Sequence, residues 1–215
     1  RENKEAQTSQ SRNDLNQLEY PQGDILKGEN SFTYNQKGWG DFSYQIYTEW
    51  ETDNNSLLGS WSVSSENKGW EKAPKATDVV AAEIKTGYKI SLKKHLQWWT
   101  NYWNKSEITI PDELLEKQYY LEMYKFGAAA RNDAPPIALQ SVWTADHGKL
   151  PPWKGDFHHD LNTQLSYWPA YAGNYLDLEE GFLNWLWKYR PVFKKYTKDY
   201  FGIEGMNVPG VTTLE

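Results

Sequence analysis

The period of the apolar residues changes once along this chain, and that change restricts the fold more than any other feature. Between Asp41 and Trp50, the residues Phe42, Tyr44, Ile46, Thr48 and Trp50 alternate with Asp41, Ser43, Gln45, Tyr47 and Glu49. Successive side chains of a strand point to opposite faces, so a period of two predicts a half-buried strand. "TDNNS" then reads as a turn, and "GSWSVSS" (59–65) as a short partner strand. Further on the period lengthens. Leu92, Leu96, Trp99 and Trp103 fall at i, i+4, i+7 and i+11, one face of a helix.

A second helix is expected from Asp112, a natural N-cap, through Leu115, Tyr119, Met123 and Phe126 to about Arg131. "NDAPPIALQSVWTADHGKLPP" is a long, proline-rich loop. A third, shorter helix starts near Asn162. A fourth opens with Asp177 and Glu180 as a capping-box-like pair, and runs through Phe182, Trp185, Tyr189, Phe193 and Tyr196 towards Gly202, with a kink at Pro191. The organisation expected is therefore loop or disorder over 1–27, a β segment over 28–65, a linker over 66–87 and a helical region over 88–213. The closing Leu214 and Glu215 read as a cloning scar on a piece of a longer protein.

Composition removes several function classes. No run approaches the roughly 18 apolar residues of a membrane-spanning helix. A net charge of −6 with dispersed basic residues argues against a nucleic-acid groove. With no cysteine, disulfides, thiolate catalysis and cysteine–zinc sites are excluded. The chain is instead rich in rings: 12 Trp, 15 Tyr and 7 Phe in 215 residues. Such rings build a core, or a saccharide cleft in which ring faces meet sugar C–H faces and polar neighbours bind hydroxyls.

The densest candidate is "PPWKGDFHHDLNTQLSYWPAYAGN", residues 151–174. A metal reading suits it poorly. His158 and His159 are adjacent and point apart on any regular backbone, whereas metal sites favour i, i+4 on a helix or i, i+2 on a strand. An acid–base reading asks for less. Asp160 and Asn162 flank a predicted helix start, where backbone N–H groups favour negative charge, and a carboxylate beside a carboxamide can orient a water and take its proton. The plain alternative makes one of the two an N-cap.

"ALQSVWTADHGKLPPWKGDFHHDLNTQLSYWPAYAGN" resembles a region of glycoside hydrolase family 95, the α-L-fucosidases and α-L-galactosidases. The matching residues are Leu139, Gln140, Trp143, Trp153, Asp156, Asn162, Thr163, Gln164, Tyr167, Trp168 and Pro169. The likeness is strongest over 135–174 and extends from about 88 to 213. It implies an (α/α)6 toroid preceded by a β-sandwich, of which 28–65 would be the tail. It also implies an inverting hydrolase without metal or cofactor, acting on an oligosaccharide or polysaccharide in the periplasm or outside the cell. Asp160 and Asn162 would position or activate the water, while Trp143, Trp153, Asp156, His158, His159, Gln164 and Trp168 would bind sugar. This chain departs from the family pattern twice, with Asp160 for an asparagine and Ser141 for a glycine. The family's general acid matches no residue here, so the chain by itself is expected to be inactive. A noncatalytic carbohydrate-binding module and a helical interaction protein are the alternatives.

Overall fold

The computed structural model describes residues 19, 21–53, 55–66, 73–141 and 152–213. The chain divides between Trp98 and Trp99 into two compact units.

The first unit holds an antiparallel meander in the order β1 (Asp24–Lys27), β2 (Ser31–Lys37), β3 (Ser43–Asp53), β4 (Ser56–Glu66). The alternation read from Asp41 to Trp50 becomes β3, and the short partner becomes an eleven-residue strand. Ile25, Tyr34, Ile46 and Val63 stand in one row across all four strands. Phe32, Thr48 and Trp61 form the next row on the same face. That face is open: Ile25 is 54% exposed, Val63 53% and Trp61 71%.

Two differences from the sequence reading appear here. Asp24–Lys27, expected as loop, is a strand, because its order comes from β2 backbone groups rather than from its own pattern. The stretch expected to be a connector carries α1 (Ala76–Thr86). Its buried stripe consists of Ala76 and Val80, both 0% exposed and too small to stand out in a chain dominated by large rings. Asp78 in the first turn and Lys85 in the last complement the helix dipole. Gly87, at φ 82°, then ends the helix with its N–H on the Glu83 carbonyl.

α2 (Tyr88–Trp103) crosses the division. The predicted stripe is half-buried only at Trp99 and Trp103, and the helix's buried residue is Tyr102 beside them. Leu92 and Leu96 remain 38% and 56% exposed. In the second unit, Trp99 stacks on Tyr124 with centroids 5.0 Å apart, and the buried Tyr102 stacks on Tyr175 at 4.3 Å. The Tyr102 hydroxyl donates to the Met123 carbonyl at 2.6 Å, and its burial raises its pKa strongly.

α3 (Glu113–Ala129) begins as expected: Asp112 Oδ1 accepts from the Leu114 and Leu115 N–H groups at 2.9 and 3.1 Å. It stops just before Arg131, whose guanidinium turns back onto the carbonyls of Gly127 and Ala130. α4 (Asn162–Ala172) and α5 (Leu176–Phe201) complete the helices. The capping-box reading of α5 is corrected. Its N-cap is Tyr175, without a side-chain cap, because the Tyr175 ring is anchored on Tyr102 and sets the entry two residues ahead of Asp177. Asp177 lies in the first turn and pairs with Lys105. The helix passes through Pro191 and ends at Gly202, which takes the left-handed conformation (φ 72°).

Helix thus dominates the second unit, and its strands are limited to β5 (Phe157–His158) and β6 (Val211–Thr212) among the described residues. The core gathers Phe157, Trp185 and Phe193, with Ala138, Phe182, Leu186, Tyr189 and Val208 packed around them. Gly181 marks a close approach: a Cβ there would lie 2.1 Å from the Arg131 carbonyl oxygen. Glycine to alanine inside a helix normally gains stability. Here the sign should reverse, with Gly181→Ala losing about 1–3 kcal/mol of unfolding free energy in urea titrations. A variant as stable as the parent would mean that the backbones can move apart freely.

Candidate active site

Residues 152–164 run through a single 3-10 turn (Pro152–Gly155), β5, a tight turn and the first residues of α4. β5 is pinned by β6, with Phe157 opposite Thr212 and His158 opposite Val211. The period of two on this short strand sends Phe157 inward, 2% exposed, and leaves His158 facing the other way.

On the His158 side lie Trp153 and Asp156. Trp153 meets His158 edge to face at 6.2 Å. It is 63% exposed and held at φ 55°. A bulky residue costs roughly 1–2 kcal/mol in that left-handed backbone, and such strain persists where the surroundings impose it. Asp156 Oδ1 stands 3.0 Å from His158 Nε2, an ion-pair distance without hydrogen-bond alignment. Both atoms are buried and otherwise without a partner, as is Gln140 Oε1. Gln140 belongs to the segment joined to this loop by the Leu139 N–H to Asp156 carbonyl bond, 2.9 Å. Orphaned buried acceptors and an imidazole nitrogen on two linked segments are groups that an ordered water or a sugar hydroxyl would satisfy. Ser141, at the family's glycine position, has φ 53°. Glycine takes that conformation without strain, and serine does not.

His159 turns to the opposite side. Its N–H donates to the Gly210 carbonyl at 2.7 Å, and its ring Nε2 shares a hydrogen bond of 2.7 Å with Thr212 Oγ1. The ring lies nearly parallel to Phe157, Phe182 and Trp185. Burial holds its pKa below the usual histidine value, with Asp160 acting to raise it and His158 to lower it by smaller amounts. The folded state therefore resists protonation at His159, while the unfolded chain takes up a proton near pH 6.5. Stability should fall as pH drops through about 6.5 towards the folded value. Unfolding free energies measured between about pH 7.5 and 5.5 should show that loss, and His159→Phe should flatten it. An unchanged slope in the variant would assign the acid sensitivity elsewhere.

Asp160 and Asn162 are both exposed. The N-cap of α4 falls on Leu161, between them, so neither is that cap. Gln164 and Trp168 follow at i, i+4 on an exposed face of α4, whereas Thr163, Tyr167 and Ala170 form its buried face. Tyr167 seats the helix: its hydroxyl accepts from the Ile137 N–H at 2.8 Å, its ring stacks on Phe182 at 4.9 Å, and burial lifts its pKa to about 12. Trp143 lies outside the described residues. Among the described residues, no group of three or more His, Asp or Glu is gathered to hold a metal ion. No described helix is long and apolar enough to cross a membrane.

The structure thus brings Trp153, Asp156 and His158 into contact and sets Asp160, Asn162, Gln164 and Trp168 on exposed backbone just beyond them. His159 is directed away. The sequence reading missed two participants. Thr212 could not be found, because it reaches His159 across 53 residues through a two-residue ladder. Gln140 matches the family pattern, but the pattern alone assigns it no role; its buried, unpartnered Oε1 does.

Comparison with known proteins names the class. Residues 97–214 match the glycosyl hydrolase family 95 catalytic domain, a span that includes the whole loop and all of its candidate residues. The second unit is therefore built on a glycosidase catalytic domain. The chain belongs to glycoside hydrolase family 95. It is also 27% identical to a probable alpha-fucosidase A of Aspergillus niger, across 56% of this chain and 17% of that protein.

Proposed function

We propose that the intact protein carrying this chain is an inverting, metal-independent glycosidase that removes terminal α-L-fucosyl or galactosyl-type residues from complex glycans outside the cytoplasm. Asp160 and Asn162 position or activate the attacking water. Trp143, Trp153, Asp156, His158, Gln164 and Trp168 bind the sugar, whereas His159, whose ring is committed to Thr212 and the aromatic core, is removed from that set. No general acid is assigned within this chain. The observation that carries the reading is that the family match spans the loop on which Asp160 and Asn162 stand exposed and free of capping. The name of the fungal relative, a probable alpha-fucosidase, supports fucose of these two sugars.

The proposed architecture is the start of an (α/α)6 toroid preceded by the end of a β-sandwich. The open apolar face of the meander, running from Ile25 to Val63, supports the sandwich part, since such faces are ordinarily covered by a second sheet. The test is incubation of the intact protein with fucosylated, galactosylated and xylosylated oligosaccharides, scoring the released sugar and the anomer formed first. Release of fucose or galactose with inverted configuration is expected. Binding without release would favour a noncatalytic carbohydrate-binding role, and a retained configuration would remove the water-activating assignment.

A further inference from the structure

We infer that His159 is a positioning residue whose hydrogen bond to Thr212 fixes where Asp160 stands. The inference rests on the proposal that Asp160 handles the attacking water.

Three observations converge on it. The His159 backbone is held by its N–H bond to the Gly210 carbonyl at 2.7 Å. The side chain is held as well, because Nε2 bonds Thr212 Oγ1 at 2.7 Å while the rings of Phe157, Phe182 and Trp185 stack around the imidazole at interplanar angles of 15°, 20° and 26°. Only Nδ1 lacks a partner, and it is buried, so the ring presents no open edge to a sugar. Asp160 is the next residue. It sits in the turn between β5 and α4, and the N-cap of α4 is a leucine with no side-chain bond to hold that turn. The chain there is fixed from the other end, by the ladder to β6 and the His159–Thr212 bond. A carboxylate displaced by about 1 Å from its water can cost up to 10²-fold in rate. The segment 208–213 thereby acts on the reaction without touching the substrate.

Thr212→Val tests this in the intact protein, because it keeps the β-branched shape and the backbone ladder while removing the hydroxyl. Nitrophenyl α-L-fucoside and α-L-galactoside, together with the oligosaccharide panel, serve as probes. The expected result is a kcat lowered roughly 10-fold or more, with KM and melting temperature nearly unchanged. Thr212→Ser, which retains the hydroxyl, should restore kcat. Wild-type kcat in Thr212→Val, beside lost turnover in Asp160→Ala, overturns this inference and leaves the proposed function standing. Valine and serine variants that lose kcat equally, with a lowered melting temperature, also overturn it, since that pattern belongs to a purely structural contact. Full turnover by Asp160→Ala, or silence of the wild type on every probe, overturns the proposed function and this inference together.

Discussion

Trp185→Ala should lower the unfolding free energy by about 3–5 kcal/mol, the range for truncating a large buried aromatic. Trp185 is 3% exposed and meets Phe157, His159, Tyr189 and Phe193 with ring centroids between 5.2 and 5.8 Å. Trp185 joins α5 to β5 and to the His159 ring, so its removal leaves a cavity bordered by the loop that carries Asp160. The comparison to make is Trp187→Ala on the same helix. Trp187 is 71% exposed, and its notable contact is the Arg190 guanidinium 3.8 Å above the ring. Losing an exposed cation–π contact costs roughly 0.5–1 kcal/mol. Urea midpoints for the two variants should therefore separate clearly. Equal midpoints would mean that Trp185 is not the hub of the core. Trp185→Phe should fall between them, since it keeps a ring and removes an indole N–H that is buried without a partner.

How much of this was legible follows from how local each determinant is. β3 could be read because its alternation lies within a single stretch, and α3 because Asp112 caps its own following residues. β1 and α1 could not be read: one is ordered by a neighbouring strand, and the other buries only Ala76 and Val80. The start of α5 was misplaced because the capping pattern at Asp177 is a sequence rule, whereas the helix entry is set by Tyr175 stacking on Tyr102 from a distant helix. The site divides in the same way. Trp153, Asp156 and His158 lie within six positions, so their proximity was implied by the chain itself. The direction of His159 was not, because it depends on Thr212 and on three rings drawn from β5 and α5.

In the intact protein, Asp160→Ala should lower kcat by roughly 10²–10⁴-fold, the span that general acid–base groups supply, with a much smaller change in KM. An exposed turn carboxylate that caps no helix contributes little to folding, so the melting temperature should stay near that of the parent. Loss of activity with the fold intact is what separates a water-handling group from a structural one. Asp160→Asn then divides that role in two. The carboxamide keeps an oxygen that accepts a hydrogen bond from water but cannot take its proton. It also restores the asparagine of the family pattern. If Asp160 only orients the water, the asparagine variant should turn over close to wild type while the alanine variant fails. If Asp160 takes the proton itself, both variants should fail alike. Measuring both variants on one substrate decides whether the aspartate here is a tolerated replacement or has become the base.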